Sequence, residues 1–398
     1  MSKYLRDIKT PCYIYDLAEI SRRLAYLKKH LPDSIALYYA VKANSNLHIL
    51  QALRGSVDGL DLSSGGELEQ ALAAGYLPQN FSFAGPGKTT AELELAIKSA
   101  CGSISAESPD DLRRIETVAR TLGPQAFVSL RINPATLNEH FALKMGGKAT
   151  QFGFDEENLK TLPKLKNTAI SGLHIYAGTQ CLNASGLQEN FQNIFSLAQK
   201  LSKKLKFQLQ KVNIGGGFGI DYFRGQQPLD IAAVCKALSR AAAGFGQNQP
   251  RTKIILELGR WLLAPAGYYL CSVLNIKKSR GKTFVIVDGG MHQNQAATGQ
   301  LGQIIRKNYK ITNLTRPRSK KLKVELAGCL CTPLDMLATG LEIAGPRVGD
   351  ILCVPNSGAY GYTASPLFFL GHPTPPEYLI QDGQVKLIRP SRRLIEFN

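Results

Sequence analysis

The stretch Ile35-Ala36-Leu37-Tyr38-Tyr39-Ala40-Val41-Lys42-Ala43-Asn44-Ser45-Asn46 sets the reading of the whole chain. Ile35 to Val41 is apolar, aromatic and β-branched, the composition of a buried strand. A lysine closes that run, and the turn-forming Asn44 and Asn46 follow at once. Packing gives no reason for a charge there. Either the ammonium snorkels to water, or the strand tip presents a nucleophilic amine to a carbonyl.

Strand-like runs recur after it: Ile35–Ala43, Gly59–Ser64, Phe81–Gly85, Ser103–Ser108, Phe127–Asn133, Ile170–Gly178, Lys211–Gly217 and Lys253–Arg260. Between them lie segments with apolar residues at three- and four-residue steps, such as Gly66–Tyr76, Thr89–Ala100, Asp110–Leu122, Ser185–Lys203 and Asp230–Ala243. Hydroxyl and acidic residues mark several helix starts, as in Thr89-Thr90-Ala91-Glu92. Eight βα units at near-regular spacing predict an α/β fold closed as a (β/α)₈ TIM barrel rather than an open doubly wound sheet. Barrel chemistry lies at the C-terminal strand ends, and the unusual residues fall there: Lys42, Asp61, Arg131, Tyr176, Gly215–Gly217, Glu257 and Arg260.

The helical rhythm fades after about residue 265. Gly267–Lys278, Lys282–Gly290, Lys321–Gly328, Gly349–Ser357 and Glu377–Pro390 read as strands of a mostly antiparallel β domain, with Asp382-Gly383 as a hairpin turn. Pro11–Tyr15 is strand-like too. The expected organisation is an N-terminal strand segment (1–25) pairing with the β domain, a barrel over 26–265 and the β domain over 266–398.

The chain has 398 residues, 44% of them hydrophobic and 20% charged, an ordinary balance for a globular protein of two domains. The opening residues have no apolar core of a secretory leader. The apolar run Trp261–Ile276 is interrupted by Pro265, Gly267 and Ser272 and is too short to span a bilayer. The eight cysteines form no Cys-x-x-Cys pair and no zinc-type spacing, so reduced thiols in a cytoplasm and no metal site are expected. Basic residues outnumber acidic ones 48 to 30. Their excess is concentrated at positions 277, 278, 280, 282, 306, 307, 310, 316, 318, 320, 321 and 323. Such a band could attract nucleic acid, an anionic membrane or an acidic protein, or be a solvated face; no nucleic-acid-binding motif accompanies it, and neither nucleic acid nor membrane is expected as a partner.

Seven motifs in order resemble the fold-type III pyridoxal-phosphate enzymes, the group of diaminopimelate and ornithine decarboxylases and alanine racemase. They are Tyr-Ala-Val-Lys-Ala-Asn (39–44), Ser-Ser-Gly-Gly-Glu-Leu (63–68), Gly-Gly-Gly-Phe-Gly (215–219), Glu-Leu-Gly-Arg (257–260), Val-Asp-Gly-Gly-Met (287–291), Gly-Cys-Leu-Cys-Thr-Pro-Leu-Asp (328–335) and Gly-Ala-Tyr (358–360). The resemblance implies pyridoxal 5'-phosphate held covalently by Lys42. Glu257 matches the acid at the pyridine nitrogen, and Gly215, Gly216 and Gly217 the phosphate loop. Arg260, beside Gly259, and Tyr360 match phosphate-binding positions, and Arg131 matches an arginine near the ring oxygen. Asp61 orients the lysine or caps a strand. Cys331 matches a thiol that crosses a dimer interface to reprotonate the substrate carbon, and Asp335 joins it with Tyr360 on the substrate side. A homodimer with composite sites follows.

The chain also departs from the family. Where relatives carry a ring-stacking histidine and a phosphate-binding serine, it has Tyr176 and Thr179. Thr332 follows Cys331, where ornithine and diaminopimelate decarboxylases carry an acid for the substrate's far ammonium. The set that recognises diamino acids is therefore dismantled, while the cofactor set is intact. The segments around Cys331 and Tyr360 are similar to a branch containing the butirosin-pathway and siderophore-pathway decarboxylases, whose substrates include a glutamyl group on an acyl carrier protein. α-Decarboxylation of an L-amino acid or conjugate is the expected activity. An amino-acid racemase and a non-catalytic cofactor-binding protein are the alternatives.

Overall fold

A computed structural model describes Tyr4 and residues 8–136, 139–299 and 307–397. Arg306 of the basic band lies outside the described residues. Two compact units divide the chain, one of residues 24–220 and 228–259, the other of the segment to Arg23, Asp221–Gln227 and Arg260 onward. The breaks at 23/24 and 259/260 stand against expected ones at 25/26 and 265/266.

In the first unit, eight parallel strands form a ring: Ile35–Ala40, Gly59–Leu62, Phe81–Phe83, Ser103–Ala106, Ala126–Asn133, Thr168–His174, Lys211–Asn213 and Lys253–Leu258. Lys253–Leu258 pairs back onto Ile35–Ala40, and Ser103–Ala106 onto Ala126–Asn133, so the sheet closes. These are the eight expected strands, but most stop two to four residues early. Past each stop the chain turns away from its neighbours, because glycines and polar residues there leave the hydrogen-bond ladder. Lys42, Tyr176 and Gly215–Gly217 sit in these exits, not in the ladder.

The helices begin where side-chain caps satisfy their free N–H groups. Ser64, Ser108, Asn183 and Asp230 each accept such a bond, and Thr89 with Glu92 forms a capping box. One stripe of each helix is buried, for example Leu112, Ile115, Val118 and Ala119 on Pro109–Leu122.

The second unit is built on a mostly antiparallel sheet. Cys12–Asp16 lies inside it, antiparallel to Gly267–Ser279 and parallel to Glu377–Gln381. Cys12, Ile14, Leu270, Cys353, Tyr378 and Ile380 pack into a core, so two of the cysteines act as small apolar residues. Asp382-Gly383 turns Glu377–Gln381 into Gln384–Arg389 as expected. Sequence reading missed the strand Met336–Ala344. Gly340 (φ 58°) interrupts it, and the register against Lys321–Ala327 shifts between Val324 and Leu326. A bulge of this kind breaks the two-residue alternation by which a strand is recognised. Among the described residues no helix is long and apolar enough to cross a membrane.

Lys88 is a buried cation of the barrel unit that no motif announced. Its ammonium donates to Gly85 O (2.6 Å), Ser105 O (2.8 Å) and Asp111 Oδ2 (2.8 Å). All three protons are used, and the carboxylate also accepts from the Glu107 N–H. Removing one partner of such a pair leaves the other charge stranded in low dielectric. Lys88→Met is expected to destabilise the protein by about 3 kcal/mol in urea denaturation, with Lys88→Met/Asp111→Leu recovering most of the loss.

Candidate active site

Lys42 occupies a single 3₁₀ turn, Val41–Ala43, at the exit of its strand. Its Nζ lies 3.3 Å from Asp61 Oδ2 and 5.5 Å from the centroid of the Tyr176 ring. The lysine side chain is 39% exposed and that of Asp61 only 1%, so an accessible amine is steered by a buried carboxylate. Burial, and then the charge of Glu257, push the Asp61 carboxyl well above its usual range against the pull of Lys42. Its Oδ1 is buried without a hydrogen-bond partner. Gly259 lets the turn close, since a Cβ there would press on Ala43 Cβ at 2.7 Å and Ala40 O at 3.0 Å.

Glu257 is buried at the end of the strand Lys253–Leu258. Burial alone would raise its carboxyl. The His174 imidazole, the Lys42 ammonium and a hydrogen bond donated by Asn213 Nδ2 prevail and hold it at about 2. His174 Nε2 stands 3.7 Å from Glu257 Oε2, and its Nδ1 shares a hydrogen bond with Ser105 Oγ at 3.0 Å. Asn213 also accepts the Gly215 N–H at 2.9 Å, so it couples the carboxylate to the glycine run. Gly215 (φ 63°) and Gly217 (φ 90°) lie in the left-handed region, and a Cβ on Gly216 would overlap the Glu257 carbonyl oxygen. With the Gly215 N–H committed to Asn213, the N–H groups of Gly216 and Gly217 are the ones suited to an anion.

Arg131 is buried, donates to Glu107 Oε1 at 2.8 Å and lies 4.5 Å over the Phe152 ring. Glu107 also accepts from Gly85 N and Gly153 N, both at 3.0 Å. Thr179 is half-buried beside Gly178, in a two-residue strand paired with Leu143–Lys144. Sequence reasoning missed Glu107 and Asn213. Both end or follow barrel strands in the positions that flagged Asp61 and Glu257, so the same signal would have found them.

In the second unit, Arg260 donates to the Tyr222 hydroxyl (3.1 Å) and its guanidinium lies 4.5 Å over the Tyr360 ring, while its Nε is buried and unpartnered. Tyr360 takes φ 56°, a conformation that side chains other than glycine adopt at a cost. Cys331 is exposed. Asp335 is buried and accepts from Met291 N (2.6 Å) and Leu330 N (2.8 Å). The Asp335 carboxylate, expected on the substrate side, accepts these two backbone N–H groups and so secures the loop that carries Cys331.

These residues fit pyridoxal phosphate. An accessible amine suits an aldehyde, a buried ionised carboxylate suits a protonated pyridine nitrogen, and glycine N–H groups suit a phosphate. Orphaned polar atoms at Asp61 Oδ1 and His174 Nε2 at the barrel end are those of a site that takes polar groups.

The Glu257 carboxyl sits below its unfolded value of about 4.3, so its contribution to stability is present above that pH and is lost as pH falls toward about 2. Glu257→Gln should remove a contribution on the order of 3 kcal/mol, each pH unit of displacement being worth about 1.4 kcal/mol. Melting curves from pH 2 to 6 would show the variant losing less stability than the parent over that window; parallel curves would exclude an ionised Glu257.

The match to known proteins agrees with this chemistry. A family described as "Pyridoxal-dependent decarboxylase, pyridoxal binding domain" matches residues 17–264. The L-glutamyl-[BtrI acyl-carrier protein] decarboxylase of Niallia circulans is 38% identical over 96% of this chain and 92% of its own. The 2-[(L-alanin-3-ylcarbamoyl)methyl]-2-hydroxybutanedioate decarboxylase of Staphylococcus aureus is 29% identical over 91% of this chain and 92% of its own. The crystal structure of diaminopimelate decarboxylase from Helicobacter pylori complexed with L-lysine superposes with a TM-score of 0.87 at 28% identity, covering 99% of this chain and 97% of that one. With its closed parallel barrel, mostly antiparallel β domain and lysine-centred site, the chain belongs to the pyridoxal-phosphate-dependent amino-acid decarboxylases.

Proposed function

We propose that this carboxy-lyase acts on an L-amino acid conjugate without a far ammonium group, the leading class being a glutamyl group tethered to an acidic acyl carrier protein. The loop after Gly328 carries the argument. Thr332 stands beside Cys331, and the loop's buried acid, Asp335, is turned onto backbone amides. Neither offers a carboxylate to a distant ammonium, and a site lacking that partner gains nothing from diamino acids. The likeness to the carrier-protein decarboxylase of Niallia circulans points the same way.

Roles follow from residue chemistry. Lys42 would carry the cofactor, with Asp61 orienting its amine. Glu257, ionised and buried, would keep the ring nitrogen protonated, and Tyr176 would stack on the ring. Arg131 would attend the ring oxygen. Gly216, Gly217, Thr179, Arg260 and Tyr360 would hold the phosphate; Gly215 and Gly259 shape the backbone of their turns. When bound, pyridoxal phosphate acts as the electron sink that lets a Cα–carboxylate bond break. Cys331 then delivers a proton to Cα, a task suited to an exposed thiol. Each chain of a homodimer would supply Cys331 to its partner's site. Eight unpaired cysteines suit the reducing cytoplasm.

The basic band supports an acidic partner. Within it Lys282 is paired with Glu325, Lys310 with Asp221 and Arg316 with Asp350. Lys277, Lys278, Arg280, Lys307, Arg318, Lys320, Lys321 and Lys323 are exposed. Lys277, Lys278, Lys321 and Lys323 sit on strands that flank Lys282–Val287 in one sheet. A positive surface of this sort steers association and is screened by salt.

Three outcomes test the proposal. Lys42→Ala should abolish carbon dioxide release and the borohydride-trapped adduct at residue 42. Cys331→Ser should lower kcat by about 10²-fold or more with KM little changed. Turnover of carrier-bound glutamate should exceed that of free amino acids and fall as salt rises, with Lys321→Glu/Lys323→Glu raising KM. Salt-independent turnover of free diaminopimelate or ornithine would overturn the substrate assignment, and racemisation with retained carboxylate would overturn the reaction.

A further inference from the structure

The second unit holds a group of side chains that this chemistry leaves unused. His292 follows the strand Lys282–Val287, Cys329 follows Lys321–Ala327, and His372 follows the short 3₁₀ turn Phe369–Gly371. Their potential ligand atoms all lie within 4.8 Å of one another. Cys329 Sγ is 4.0 Å from both ring nitrogens of His372, and the two imidazole centroids are 4.9 Å apart. His292 is fully buried, yet neither of its ring nitrogens has a hydrogen-bond partner. Two orphaned nitrogens on one buried ring are unusual, since each such group costs about 1–3 kcal/mol when left unsatisfied.

We propose that His292, Cys329 and His372 bind a divalent transition-metal ion with nitrogen and sulfur preference, of which zinc is the representative. One thiolate with two imidazoles is a borderline-soft set that hard cations such as magnesium or calcium do not select. Bonds of about 2.0–2.3 Å in a tetrahedron require ligand separations of roughly 3.3–3.8 Å, so small rotations of half-buried Cys329 and His372 would complete the set. Binding replaces the Cys329 thiol proton, which passes to solvent, by a sulfur–metal bond, and water fills the fourth position. No redox change is involved.

The site lies in a loop system already laced together. Cys329 N–H donates to Gly289 O at 3.0 Å, and Asp335 bridges Met291 and Leu330. Cys331 stands two residues from Cys329. An ion held by three chain segments would therefore fix the backbone that presents Cys331. The ligands are too far apart in sequence to form a clip motif, which is why spacing alone suggested no metal.

Metal uptake by the untagged, full-length holoenzyme decides the matter. After chelator treatment and addition of Zn²⁺, the parent should retain one zinc per chain through gel filtration. Cys329→Ser and His372→Ala, each shown to keep its melting temperature and bound cofactor, should lose affinity at least 10-fold; Cys331→Ser should bind like the parent. With Co²⁺ the parent should gain thiolate-to-cobalt and four-coordinate d–d bands over the metal-free holoenzyme spectrum, and Cys329→Ser should lack them. No retained zinc in the parent, or equal retention in parent, Cys329→Ser and His372→Ala, would overturn the assignment. Neither result depends on which amino acid the enzyme decarboxylates.

Discussion

Glu257 is a negative charge kept ionised inside a protein, and the barrel end is arranged around it. Burial opposes the charge, so it persists only because His174, Lys42 and Asn213 attend it from three other strands or their exits. That requirement orders the neighbourhood. Asn213 is drawn to the carboxylate and in turn fixes the Gly215 N–H, so phosphate loop and acid are set by one side chain. Burial, and then the same charge, push the Asp61 carboxyl up, while Lys42 Nζ stands 3.3 Å from its Oδ2. A closed parallel barrel brings such groups together because every strand delivers its last residue to the same end.

Around this centre lie further buried ionic groups that do structural work. Arg131 is paired with Glu107, and Lys88 with Asp111, inside the barrel unit. Glu107 ties two loop N–H groups to the strand that carries Arg131's charge balance. These pairs contribute less to net stability than to fixing where the loops leave the barrel, because breaking one strands a charge in low dielectric. In the second unit Asp335 has the same character. Its carboxylate accepts two backbone amides, so the loop bearing Cys331 is shaped by a buried acid.

Much of this was legible in the sequence. Lys42, Asp61, Arg131 and Glu257 stood out because each is charged at the end of an apolar run, and the eight runs themselves announced the barrel. The glycines of 215–217 were legible as a turn, but their separate reasons were not: two need positive φ, and the middle one abuts a carbonyl from another strand. Strand ends were placed too far along, since apolar composition continues past the last ladder bond. Met336–Ala344 was lost because a glycine bulge erased its alternation.

What the sequence determined by itself was the inventory: an amine, a buried acid, a glycine turn and a cysteine loop, spaced by helices that force parallel strands into closure. The tertiary structure decided which of these meet. Asn213 and His174 acquire meaning only as neighbours of Glu257, Asp335 meets its backbone partners only in the folded loop, and His292, Cys329 and His372 become a group only in space. The physical reason is that periodicity reports which side of an element is buried, whereas hydrogen bonds and charge pairing depend on distances between elements that no local pattern encodes.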